Sequence, residues 1–216
     1  MNSSAAASSS HPLAVTEEDQ GACQIDKTIQ GAAALTARWQ RRRLGGIIAA
    51  VSGCRVFLDW REHHGGEGTS DVYLLLTNCI ADIQASLANG GPGKMPDVVF
   101  MDNACALEKY AMNPRRAGLT PTTLLASRLH YMLDIWHVHN HTACLADPVQ
   151  AAILDPRSEA NQRYRGTVNT EACEQAFSFI DRITYVSYTM GRGMFHVYAY
   201  LIMDMENEKV TRRRSR

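Results

Sequence analysis

The chain has 216 residues, with 22 Lys plus Arg balanced by 22 Asp plus Glu and a hydrophobic content of 45%. Bulk charge therefore names no class of partner. The length suits one domain with a substantial core plus a tail, and no apolar run reaches the 18 or more residues of a membrane span.

The first ten residues, Met1 to Ser10, combine neither a basic start nor a long apolar stretch, which argues against a secretory signal. Residues 1–20 read as a low-complexity, disordered tail. Six cysteines (23, 54, 79, 105, 144 and 173) are scattered without tight spacing and read as thiols, not a disulfide framework. Residues 21–44 are ambiguous, with helical spacing over Ala32–Arg43. Ile47–Val51 and Arg55–Trp60 read as two strands joined by a tight turn at Ser52-Gly53. His63 to Gly68 reads as a loop.

Thr69 or Ser70 then predicts an N-cap, and Val72, Leu75, Leu76, Cys79, Ile80, Ile83 and Leu87 recur at helical spacing. Asn89-Gly90-Gly91-Pro92 ends that helix. Pro96–Asp102 is a short apolar run between turn signals, the pattern of a buried parallel strand. A helix starts at Ala104 and stops before Asn113-Pro114. Residues 124–133 are apolar but fit either element. Two helices close the chain, at about 170–188 and 194–207, separated by Gly191-Arg192-Gly193, and residues 208–216 form a basic tail.

Three groups carry chemistry. Asp102 ends the buried strand, where ligands of open α/β sheets gather; it reads as a metal ligand or as the cap of the next helix. Glu171 and Glu174 lie three apart, on one face of a helix. They read as a metal-binding pair or as a solvated first turn, with a capping box beginning at Thr170. Asp134, His137, His139 and His141 form a His-rich segment whose face depends on whether it is helix or strand. His137, His141 and Cys144 offer zinc-type donors, but with no Cys-x-x-Cys pair zinc is not the expected ion. The basic runs Arg38–Arg43 and Lys209–Arg216 suit phosphates or a nuclear-import signal, or else solvated ends.

Val98-Val-Phe-Met-Asp102-Asn-Ala-Cys105, Leu133-Asp134-Ile-Trp-His137 with Asn140-His141 and Cys144, and Asn169-Thr-Glu-Ala-Cys173-Glu174-Gln175 come in an order that resembles the Kyakuja–Dileera–Zisupton (KDZ) transposases. The likeness is to their fungal relatives with an inserted cysteine cluster; it spans about residues 45–207. Glu67-Gly68-x-Ser70 before the first long helix adds to it. It implies an RNase H-like fold, a mixed sheet flanked by helices, lacking the first strand. It also implies an Asp-Asp-Glu site using two Mg²⁺ or Mn²⁺ ions for DNA strand cleavage and transfer. Asp102 would be the second aspartate and Glu174 the glutamate, with Glu171 in reserve; Asp134, His137 and His141 would support them. The family's first strand precedes this region, and Gly21-Ala-Cys23-Gln resembles the end of the cysteine cluster, leaving Asp26 and Asp59 as the nearest substitutes for the first carboxylate. The expectation is therefore a truncated or decayed transposase domain, DNA-directed and nuclear. The alternative is a non-catalytic nucleic-acid- or protein-binding protein on the same fold.

Overall fold

The computed structural model describes residues 46–63, 68–181 and 190–214. The first pair of strands, β1 (Gly46–Val51) and β2 (Phe57–His63), is antiparallel, with Ala49 opposite Trp60. The expected tight turn is longer than Ser52-Gly53. Ser52 N–H donates to the Val56 carbonyl (2.8 Å), Val56 N–H donates back to Ser52 Oγ (3.1 Å), and Arg55 stands at φ 67°. A left-handed residue after the turn is the signature of a three-residue hairpin loop; a glycine there would have revealed it, and an arginine does not.

Helix α1 (Thr69–Ala88) follows. Its N-cap is Gly68, not Thr69 or Ser70, so the first hydroxyl residue already lies inside the helix. Its C-terminus closes as the glycines demand: Gly91 N–H reaches the Ser86 carbonyl, Gly90 N–H reaches that of Leu87, and Gly90 takes φ 75°. Next come β3 (Val98–Phe100), α2 (Ala104–Met112), the short α3 (Pro114–Ala117) and α4 (Pro121–Ala126), and β4 (His130–Met132). The ambiguous stretch 124–133 thus divides into a helix end and a strand. After a 3₁₀ turn at Val138–Asn140 the chain forms α5 (Thr142–Leu145), α6 (Pro148–Leu154), a second 3₁₀ segment (Glu159–Tyr164), α7 (Ala172–Asp181) and α8 (Arg192–Arg214).

The class is mixed α/β. Strands β3 and β4 are parallel, in line with the reading of residues 96–102. A single mixed sheet is not what the described residues form: the antiparallel pair β1–β2 and the parallel pair β3–β4 are separate two-stranded sheets. The facing sides of β1 and β3 line one groove.

Two apolar clusters hold these parts. The larger joins Tyr73 and Ile80 of α1, Leu107 and Ala111 of α2, and Tyr131 and Leu133 at β4. Tyr131 is fully buried, and its hydroxyl donates to the Ala126 carbonyl at 2.7 Å. The smaller joins Phe57, Ala176, Ile180 and Met203, packing α7 and α8 on the hairpin. Helix α8 continues through residues expected to be a free basic tail, and Val210 is buried, so the packed unit reaches beyond residue 207. No helix among the described residues is long and apolar enough to cross a membrane.

Two asparagines make the joints. Asn161, 2% exposed, donates to the carbonyls of Ala152, Ile153 and Asp155 at the end of α6, and its Oδ1 meets His130 Nε2 at 3.0 Å. Asn207 of α8 accepts from Phe57 N–H at 2.7 Å and donates to Phe57 C=O at 2.9 Å. Its amide thereby pairs with β2 as a neighbouring strand residue would. Asn207→Ala is expected to destabilise the protein by about 1–3 kcal/mol, because it leaves a half-buried backbone N–H and C=O without partners. Urea unfolding measures this, and an unchanged midpoint would show that the clamp contributes nothing.

Candidate functional site

The site is built on the carboxyl ends of the parallel pair. In their register Val98 faces His130 and Phe100 faces Met132, and the ladder continues through Met101 N–H to the Met132 carbonyl at 3.0 Å. Asp102 and Asp134 each lie four residues past Val98 and His130, so they leave the two strands at the same level. Ligands of open α/β sheets collect at this end.

Each acid has a different task. The N-cap of α2 is Asn103, so Asp102 is not needed as a cap, and it is exposed at the groove. Asp134 is half-buried and fully employed. One oxygen accepts from the backbone N–H groups of Trp136 (2.9 Å) and His137 (3.1 Å); the other meets His137 Nδ1 at 2.7 Å. This local turn explains the Asp-x-x-His spacing: the aspartate shapes the bend and orients the ring that follows it. The segment is thus neither the helix nor the strand considered from sequence. His137 lines the groove with Asp102 and Asp134, whereas His139 is exposed.

The fourth wall comes from α7. Asn169, not Thr170, shapes its entry, accepting from Glu171 N–H at 3.2 Å through its side chain. Glu171 is met by the Gln175 amide at 3.5 Å, and Gln175 in turn by Asn169 at 3.0 Å. Glu174 is exposed and lines the groove with Asp102, Asp134 and His137; Glu171 is not on that wall.

Charge ties the group together. Partial burial works against a charged His137, but its hydrogen bond to Asp134 and the negative charges of Asp134, Asp102 and Glu174 outweigh it, raising the pKa above its usual value. The ring therefore senses carboxylates from three separate segments. It is the group's internal counter-charge.

The neighbouring thiols are poor nucleophiles. Burial, with Glu174 and Asp134 nearby, pushes Cys173 up to about 11; burial and the charges of Asp59 and Asp82 push Cys79 up to about 12. His141 does not join the groove. It is 2% exposed, its ring hydrogen-bonds the backbone of Asp102, and its Nδ1 lies 3.7 Å from Cys105 Sγ. It forms a possible metal cluster with Cys105 and Cys144. These are zinc-type donors, a set that sequence spacing hid because Cys105 lies far upstream of the other two.

Asp59 sits in β2 opposite Ala50, accepts from Trp60 N–H at 2.7 Å, and acts on Cys79 of α1; it is not on the groove wall. Asp26, Glu67 and the Arg38–Arg43 run lie outside the described residues. Of the C-terminal basic run, Lys209 pairs with Glu206 and lies 4.3 Å from the centre of the Phe179 ring, and Arg212 pairs with Glu208. The two ion pairs use those cations on the helix itself, and Lys209 also reaches α7.

No family model, curated protein or solved structure matches this chain.

Because the carboxylates raise the His137 pKa, its charged form stabilises the fold fully below the unfolded value of about 6.5, and that contribution is lost as pH rises through the folded value. Glu174→Gln should lower the His137 pKa, and Glu171→Gln should leave it in place. An NMR titration of the ring protons measures both, and an unmoved value in Glu174→Gln would rule out their proximity.

Proposed function

We propose that this chain carries an RNase H-like, DDE-type phosphoryl-transfer site, derived from a DNA-cutting and joining enzyme of the KDZ transposase kind. The observation that carries the reading is the convergence of Asp102, Glu174 and the Asp134–His137 pair on one groove at the carboxyl ends of parallel strands. These groups are 72 residues apart at their extremes, from Asp102 to Glu174 (174 − 102). Their order matches the three motifs on which the resemblance rests.

The donor set fits a hard divalent cation. Asp102 and Glu174 offer carboxylate oxygens on exposed side chains, which Mg²⁺ and Mn²⁺ accept along with water. When bound, such an ion would polarise a phosphoryl oxygen and activate a water or hydroxyl nucleophile. Asp134 is unsuited to bind the ion directly, since both its oxygens are committed to the turn and to His137. Its role is to hold the ring. His137 balances the acids and offers a proton donor to a phosphate oxygen in the groove.

A second reading rests on Asp59. Asp59 is not among the groove-lining residues, so of the acids named from the three motifs two, Asp102 and Glu174, are directly available. Two-ion cleavage needs more anchoring than that, and a protein that binds nucleic acid without cutting it fits this arrangement.

The full chain with Mn²⁺ separates these readings. Electron paramagnetic resonance should detect bound Mn²⁺, weakened about tenfold or more by Asp102→Asn or Glu174→Gln, as expected when one of few charged ligands is lost, and unaffected by Glu171→Gln. Equal Mn²⁺ affinity in all these proteins would overturn the site. Mn²⁺-dependent nicking of labelled DNA supports the enzyme reading. Salt-sensitive DNA binding without nicking supports the second.

A further inference from the structure

Behind the groove lies a donor set of different chemistry. Cys105 is in the first turn of α2, His141 immediately precedes α5, and Cys144 is within α5. Their ligand atoms all lie within 4.8 Å of one another. Cys105 and His141 are 3% and 2% exposed, and Cys144 is partly buried.

We infer that Cys105, His141 and Cys144 form a zinc site of two thiolates and one imidazole, distinct from the acidic groove, that clamps the start of α2 to the segment following β4.

Three observations carry this. The first is distance. With Zn–S near 2.3 Å and Zn–N near 2.0 Å, a tetrahedral site places sulfur and nitrogen about 3.6 Å apart. Cys105 Sγ and His141 Nδ1 are 3.7 Å apart. Cys144 Sγ lies within 4.8 Å of both other ligand atoms, against about 3.8 Å between sulfurs in a tetrahedral zinc site.

The second is the way the histidine is held. A zinc-bound imidazole uses its second ring nitrogen to donate to a carboxylate or a backbone carbonyl, which fixes tautomer and orientation. His141 has Nδ1 toward Cys105 while its ring hydrogen-bonds the backbone of Asp102.

The third is placement. His141 and Cys144 are three residues apart at the first turn of a four-residue helix, too short to be stable by itself. Cys105 is 36 residues before His141. A metal bond across that interval would anchor the short helix to α2. Two thiolates and one imidazole form a soft donor set that selects zinc over Mg²⁺ or Mn²⁺. The described residues supply these three ligands. A water on the less buried Cys144 side completes the tetrahedron.

The site reaches the groove through one link. The His141–Asp102 backbone hydrogen bond places the zinc ligand directly behind the acid at the end of β3. Zinc would therefore set the position of Asp102 without touching it. The inference does not depend on the groove being active: zinc content and Mn²⁺ binding are read separately.

The test uses the full chain, purified under reducing conditions without a metal-binding tag. Elemental analysis should find about one zinc per chain, and X-ray absorption should show two sulfur and two nitrogen or oxygen neighbours at about 2.3 and 2.0 Å. Cys105→Ser and Cys144→Ser should lose the tight zinc, Cys173→Ser should retain it, and a strong chelator should lower the melting temperature of the unmodified protein. Absence of zinc after expression in zinc-supplied medium overturns the inference, as does a shell with no sulfur or with three or more. Should the serine variants fail to fold, the absorption spectrum of the unmodified chain still decides. A melting temperature insensitive to the chelator, with no zinc present, would identify the trio as a buried thiol–imidazole hydrogen bond.

Discussion

The parallel register of β3 and β4 is the constraint on which the rest depends. Each strand is three residues long, and such a pair has little stability by itself. It persists because Tyr131, Met132 and Leu133 are completely buried between the helices, and because Asn161 binds His130 at the other end. A shift of one residue would exchange Tyr131 and Met132 between opposite faces and would separate Asp102 from Asp134. Core packing and the alignment of the acids are therefore the same requirement. The fully buried residues of β4 enforce the geometry used by the exposed residues beyond it.

Much of this was legible where the physics is local. The helical spacing from Val72 to Leu87 corresponds to α1, and the run from Val98 to Phe100 to a parallel strand. The Asp134–His137 spacing marked the right segment for the wrong geometric reason: neither helical nor strand periodicity unites those residues, but an aspartate turn does. Short elements are hard to read because three residues give no period, and β4 within residues 124–133 is such a case. The hairpin loop was obscured by Arg55, whose φ is usually signalled by glycine.

Long-range polar joints leave no local trace at all. Asn161 and Asn207 look like ordinary surface asparagines in sequence, yet one caps α6 and binds β4, and the other pairs with β2. Cys105 is similarly unremarkable until folding brings it to His141. The resemblance already favoured Glu174 over Glu171; in the fold Glu174 lies within α7 and lines the groove, whereas Glu171 precedes the helix and does not. On one side of Asp102, then, stand hard oxygen donors open to solvent; on the other stand sulfur and nitrogen donors shielded from it. The backbone of that residue separates two environments suited to different ions.

The Asn207 clamp has a consequence for the order of events during synthesis. Phe57 emerges from the ribosome 150 residues before the side chain that satisfies its backbone. At ordinary translation speeds of ~5–20 residues per second, the hairpin waits roughly 8–30 s for its last partner. During that interval its outer edge is an open template for pairing with another strand. Arrival of α8 closes that opening at Phe57.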